Sequence, residues 1–139
     1  MNRYLLDNSV LIEGLFGSKR GLKQFIRLNK LANAKKVELY STKLLFFEFN
    51  NVIRFRFDSL SSNYLFRHLL SFKVKILEPN REEFDLARNL AYETDTTFYD
   101  ASYHILALSR GMIFLTMDKK YYRKAKIMGN IVLFDRTRF

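Results

Sequence analysis

Five short apolar runs, RYLL, VELYS, KVKIL, MIFLT and IVLF, are spread along the chain, and each gap between them is long enough for at least one helix. Hairpin turns join antiparallel strands, whereas strands separated by helices pair in parallel with the helices lying across the sheet faces. The pattern predicts an α/β fold: a three-layer α/β/α sandwich around a central, mainly parallel five-stranded sheet. A length of 139 residues, 48% of them hydrophobic and 27% charged, is enough for one cored domain, expected to span residues 1–139. Neither a repeat nor a low-complexity tract interrupts it.

The segments between the runs carry helix signals. SVLIEGLFG reads as a helix capped by Asn8 or Ser9, and SKRGLKQFIRLNKLANA as a second, with Leu22, Phe25, Ile26 and Leu28 at helical spacing. Ser41 or Thr42 is expected to cap KLLFFEFNNVIRFRF, and SSNYLFRHLLSF forms a further helix. Asn80 and Glu83 have the spacing of a capping box before NREEFDLARNLAYE. Thr97 caps FYDASYHILALSR, Gly111 falls just past its end, and Gly129 closes KKYYRKAKIM.

Several function classes are excluded or disfavoured. There is no cysteine, hence no disulfide framework and no thiolate metal site. No GxGxxG or GxxxxGK motif offers a phosphate loop. No apolar stretch approaches the ~18 residues of a membrane span, and no signal-peptide run opens the sequence, so a cytoplasmic protein without a membrane partner is expected. A formal net charge of +10 suggests a polyanionic partner, nucleic acid ahead of an acidic protein.

Of the 14 acidic residues, four stand in apolar surroundings: Asp7 in LLDNSVL, Glu48 in LLFFEFNNVI, Asp100 in TFYDASYHILA and Asp118 in IFLTMD. Asp7 ends the first strand and Asp118 follows the fourth, which puts both at the carboxyl rim of a parallel sheet, where such folds bind ligands. Glu48 has Leu44, Leu45, Val52 and Phe55 as helical neighbours and so interrupts a stripe meant for the core. Asp100 shares a face with Tyr103 and His104. A single acid of this kind is usually a cap or one half of an ion pair. Four together need a shared partner, and no arginine stands in an equivalent apolar setting. Carboxylates without cysteine or clustered histidine favour a hard divalent cation such as Mg²⁺ or Mn²⁺.

LLDNSVLIEGLF, STKLLFFEFNNVI and FYDASYHILALSRGMIFLTMDKKYY together resemble the PIN domain, in its VapC-like toxin branch, over essentially the whole chain. The resemblance implies a Rossmann-like parallel sheet and Mg²⁺- or Mn²⁺-dependent endonucleolytic cleavage of RNA. It also implies a cognate antitoxin and a homodimer. Carried over by position, Asp7, Glu48, Asp100 and Asp118 are both the metal ligands and the catalytic acids. Ser9 and Thr116 match hydroxyl positions that orient carboxylates or water, and Asn8 stands where the family usually has a small hydroxyl residue. Tyr121 and Tyr122 occupy the region where some members carry a further acid.

Lys119, Lys120, Arg123, Lys124 and Lys126 follow Asp118 and are candidates for the RNA path, with a solvated helix face as the alternative. Glu13 is expected to face solvent, Asp95 to belong to a loop or cap, His104 to be a hydrogen-bonded core residue, and His68 to be structural. The aromatic-rich run FFEFNNVIRFRFDSLSSNYLFRHLLSF is either core or a partner-binding face, for a second copy or an antitoxin. Three rival functions stand beside the toxin nuclease. One is an RNA-processing nuclease without an antitoxin, and another is a binding module with a degenerate site. The third, an aspartyl phosphotransferase, wants an acid two residues after Asp7, where Ser9 stands.

Overall fold

Tyr4, Leu5 and Leu6 explain the sheet at its centre. Tyr4 and Leu6 enter one hydrophobic cluster and Leu5 the other, so strand β1 (Asn2–Leu6) is buried on both faces. That is the pattern of a strand inside a parallel sheet. The computed structural model describes all 139 residues. Its other strands are β2 (Val37–Thr42), β3 (Val74–Leu77), β4 (Ile113–Thr116) and β5 (Ile131–Leu133). They lie in the order β3-β2-β1-β4-β5, and every neighbouring pair is parallel.

Helices cover both faces. Helices α1 (Asn8–Phe16), α2 (Lys19–Asn33), α3 (Leu44–Arg56) and α4 (Ser59–Leu70) build one layer, through Val10, Leu11, Phe25, Leu28, Leu45, Phe49, Ile53 and Leu69. Gly14 allows α1 and α2 to approach closely, since a Cβ there would lie 2.6 Å from the Phe25 ring. The opposite layer is α6 (Phe98–Ser109) and α7 (Lys119–Ala125), joined to the sheet by Tyr103, Leu106, Phe114 and Tyr121. Helix α5 (Arg81–Thr94) packs on α6, with Ala87 and Leu90 against Ala101 and Ile105.

The predicted alternation of strands and helices is present, with local corrections. Asp7, not Asn8 or Ser9, caps α1, because its carboxylate reaches the backbone of Val10. Asp58 caps α4 one residue before its first turn. Lys43, not Ser41 or Thr42, holds the N-cap position of α3 without a side-chain cap, since Ser41 and Thr42 end β2; the Thr42 hydroxyl accepts only from Leu44 N–H at 3.2 Å. The Asn80–Glu83 capping box and the Thr97 cap form as expected. The last three residues of KKYYRKAKIM are not α-helical but a 3₁₀ turn, Lys126–Met128, which Gly129 ends at φ 77°.

Glu83 does more than complete the capping box. It is only 4% exposed, and Arg110 grips it with Nη2 at 2.8 Å and Nε at 3.1 Å, while Ser109 donates a further hydrogen bond. Its carboxyl is held down to about 2, chiefly by Arg110. Arg110 is thus a partner for a buried acid after all, but a different one from the four singled out above. The stripe on α3 also differs from expectation. Leu45, Phe49 and Ile53 make the core contacts, whereas Phe55 is 78% exposed, together with Phe47 at 74%. Leu60 and Tyr64 of α4 are exposed as well, and His68 lies at the surface, stacked on Tyr64. No helix is long and apolar enough to cross a membrane.

Candidate active site

The chain runs from β1 outward to β2 and β3, then returns to the other side of β1 to lay down β4 and β5. The reversal at the β1–β4 junction is a topological switch point, and it opens a crevice beyond the carboxyl ends of those two strands. Asp7 leaves β1 at this point and Thr116 leaves β4 beside it.

Asp7 is 5% exposed and is held from two sides. Ser9 Oγ donates to its Oδ1 at 2.5 Å, and Thr116 Oγ1 donates to its Oδ2 at 2.5 Å. The Thr116 hydroxyl in turn accepts from the Asp118 backbone N–H at 3.0 Å, and Ser9 Oγ accepts from Met117 N–H at 2.8 Å. The two hydroxyls therefore tie the end of β1 to the turn after β4. Burial pushes the Asp7 carboxyl up to about 7, against the pull of these hydroxyls, with the Asp100 charge adding to the rise.

Three other elements bring in the remaining acids. Glu48 comes from α3, where its Oε1 accepts from the Tyr103 hydroxyl at 2.9 Å. Asp100 sits in the first turn of α6, whose N-cap Thr97 accepts from its backbone. Asp118 caps α7 by accepting from Tyr121 N–H at 2.9 Å. Asp7, Asn8, Ser9, Glu48, Asp100 and Asp118 all line one cavity of about 400 Å³. Burial raises Glu48 and Asp100 above the ordinary carboxylate range, and like charges add to it: Asp100 acts on Glu48, and Asp118 on Asp100.

Two participants escaped the sequence reading. Glu13 does not simply face solvent but lines this cavity, with its Oε1 accepting from Ser18 Oγ at 2.6 Å and from Ser18 N–H at 3.2 Å. Gly17 and Gly21 make room for it, since a Cβ on either would fall within 2.5 Å of its carboxylate oxygens. The signal was its place one helical turn after Ser9. Tyr103 is the other: it stands three residues beyond Asp100 and fixes Glu48. His104 is a fully buried residue as expected, with Nε2 donating to Gly129 O and Nδ1 accepting from the Tyr121 hydroxyl, both at 2.8 Å. Asp95 forms the left-handed end of α5.

The donor set suits a hard cation. All the donors are oxygens, and none of the four acids has a lysine or arginine within ion-pair distance. Asn8 Oδ1 is buried in the same cavity wall without a hydrogen-bond partner. As the side chains stand, no three of the acids converge on one point closely enough to hold an ion by themselves. Mg²⁺ characteristically binds one or two carboxylates and keeps several waters or substrate oxygens, so an open ring of acids fits it better than a closed cage would.

The candidate basic surface divides in two. Lys119 pairs with Asp135 at 3.5 Å, and Lys124 with Asp95 at 3.7 Å. Lys120 and Arg123 have no ion-pair partner and are exposed. Lys120 and Lys124 line a second cavity, about 310 Å³, which shares Asp100 and Asp118 with the first.

The family model for the PIN domain matches residues 4–127. The chain belongs to the PIN domain family. PIN domains are generally nucleases that hydrolyse phosphodiester bonds. No curated protein matches the chain by sequence. Among solved structures, this PIN domain is similar to PAE2754 from Pyrobaculum aerophilum, with 23% identity and a TM-score of 0.70 over 96% of this chain and 92% of that one. It is also similar to a chain of VapBC2 from Rickettsia felis bound to a promoter DNA fragment, with 13% identity, a TM-score of 0.71 and coverage of 94% and 96%. A chain of VapBC-1 from nontypeable Haemophilus influenzae matches with 16% identity, a TM-score of 0.67 and coverage of 94% and 96%. At these identities the likeness is one of fold.

Proposed function

We propose that this PIN domain is a Mg²⁺- or Mn²⁺-dependent endoribonuclease and the toxin of a toxin–antitoxin pair. The observation that carries the reading is the cavity at the switch point: four separate elements each present a carboxylate to it, and no protein cation balances them. Asp7 with one or both of Asp100 and Asp118, completed by water and phosphate oxygens, would hold the metal, with Glu48 at its edge and Ser9 and Thr116 fixing Asp7. A bound divalent ion supplies a more acidic water and a positive centre for charge developing on phosphate. Glu48 Oε1 is committed to Tyr103, which leaves Oε2 to take the proton of the attacking water. Water adds to phosphorus, the bond to the leaving sugar oxygen breaks, and that oxygen is protonated. Lys120 and Arg123 draw the polyanion toward an acidic cavity that alone would repel it.

Exposed Phe47, Phe55, Leu60 and Tyr64 support the partner half of the reading. Such a run of uncovered apolar side chains suits an antitoxin segment or a second copy better than water. Similar folds occur in structures described as a toxin–antitoxin complex from Klebsiella pneumoniae and as VapBC assemblies.

Incubation with single-stranded RNA in Mg²⁺ or Mn²⁺, and again in EDTA, tests the activity. Cleavage is expected with either ion and none with the chelator; intact RNA in all three conditions overturns the reading. Tyr103→Phe is expected to lower kcat about tenfold, since groups that orient a metal-site carboxylate typically contribute 10- to 100-fold. Unchanged kcat in a well-folded variant removes Tyr103 from its positioning role. The binding half is checked without turnover. Mg²⁺ or Mn²⁺ should raise the melting temperature because an ion that binds only the folded chain stabilises it, and Glu48→Gln should shrink that gain.

A further inference from the structure

We propose that the apolar cavity beyond the carboxyl ends of β2 and β3 is a nucleobase subsite, which seats one unpaired base of the RNA beside the phosphate to be cut. This rests on the ribonuclease reading above and adds to it where the substrate's base goes.

The cavity measures about 360 Å³ and is lined by Leu44, Leu77, Pro79, Phe84, Phe98 and Tyr99. Its volume falls in the range of small-molecule sites, about 300–1,000 Å³. It lies on the same rim of the sheet as the acids, because Thr42 and Leu77 end their strands in its wall. The two cavities share the first turn of α6. Tyr99 lines the apolar one and Asp100 the acidic one, and consecutive Cα atoms are only ~3.8 Å apart. The two cavities thus adjoin at one helical turn, so that a nucleotide whose phosphate met the acids would have its base directed to the aromatic wall.

The wall has the chemistry of a stacking surface. The Phe84 and Phe98 rings lie nearly parallel, 6.1 Å apart at 12°, and Tyr99 stands against Phe98 at 67°. All three remain substantially exposed, Tyr99 at 60%. Flat aromatic rings accept any base on its π-face, and the sugar–phosphate then continues into solvent. Ser102 Oγ donates to Tyr99 O at 2.7 Å and keeps its lone pairs to accept a base N–H. The Lys43–Glu78 ion pair, 2.7 Å long and largely exposed, stands at the mouth, where pairs of this kind contribute little and are easily rearranged.

The shape favours a base over a protein. A stable protein interface buries about 800 Å² on each side. Here the apolar surface is a small cavity of about 360 Å³ with the Lys43–Glu78 ion pair among its lining residues. The broad uncovered apolar face is elsewhere, on α3 and α4.

Steady-state cleavage of a short single-stranded RNA in Mg²⁺ tests the proposal, comparing wild type with Phe98→Ala, Phe98→Tyr and Phe84→Ala. Base–aromatic stacking lost to alanine corresponds to roughly tenfold weaker binding. Phe98→Ala should therefore raise KM about tenfold with kcat within twofold, and Phe98→Tyr should restore it. Phe84→Ala provides the same reading should Phe98→Ala melt early. An abasic residue next to the cut should weaken the wild type's KM and leave that of Phe98→Ala unchanged. Wild-type KM in both alanine variants overturns the subsite, and does so in favour of a protein interface if sedimentation shows that a dimer has come apart. A wild type that cleaves no RNA overturns the ribonuclease reading and the subsite with it.

Discussion

Asparagine in place of Asp7 is expected to reduce RNA cleavage by roughly a thousandfold, the scale of removing a group that stabilises transition-state charge. The substitution keeps the size and one acceptor oxygen, so Ser9 or Thr116 still finds a partner and the helix cap to Val10 can persist. What disappears is the charge at the centre of the cavity. Circular dichroism should show an unchanged fold, and mapping of RNA ends should show that wild-type cuts are gone. Full activity in a preparation free of contaminating nuclease would reject the assigned role.

The same substitution is expected to stabilise the chelator-treated protein at alkaline pH. Asp7 titrates at about 7 in the folded chain against an ordinary 3.8, so the folded chain holds a proton that the unfolded chain releases. Below pH about 4 both states are protonated and the full contribution to stability is present. It declines as pH rises from about 4 to about 7 and is lost above that. At 1.36 kcal/mol per unit the fall is on the order of 4 kcal/mol. Urea titrations of wild type and Asp7→Asn, each at pH 4 and pH 8 in EDTA, report Asp7 together with its coupling to Asp100, because carboxylates remote from the cavity cancel in the difference. The variant's midpoint should gain about 2 M on the wild type between the two pH values. Parallel midpoints would show that Asp7 is already ionised in the folded state without penalty.

The sheet was legible because its five apolar runs are short, and helical periodicity separates them. The capping box at Asn80 and the cap at Thr97 were legible because those signals are local. Partners distant in sequence were not. Arg110 looks like a helix-end cation until α5 packs on α6 and brings Glu83 to it. Glu48 was read as breaking a core stripe, but the stripe runs through Leu45, Phe49 and Ile53, and Glu48 lies at its edge under the Tyr103 hydroxyl. Composition could not reveal that Phe47 and Phe55 stay uncovered, since an apolar residue on a helix looks the same whether the neighbour that buries it belongs to the chain or to a partner. The four acids were legible as misfits in apolar sequence, and their meeting at one cavity follows from the strand order.

That strand order also sets when the site can be completed as the chain is made. β1 is synthesised first, yet one of its two neighbours is β4, and the hydroxyl that orients Asp7 lies 109 residues downstream. A chain still emerging from the ribosome holds Asp7 without Thr116 or Asp118, and such distant pairings form late. The cavity therefore cannot assemble during most of elongation, and completion of the chain, not the folding of its first half, sets the moment at which the carboxylates meet.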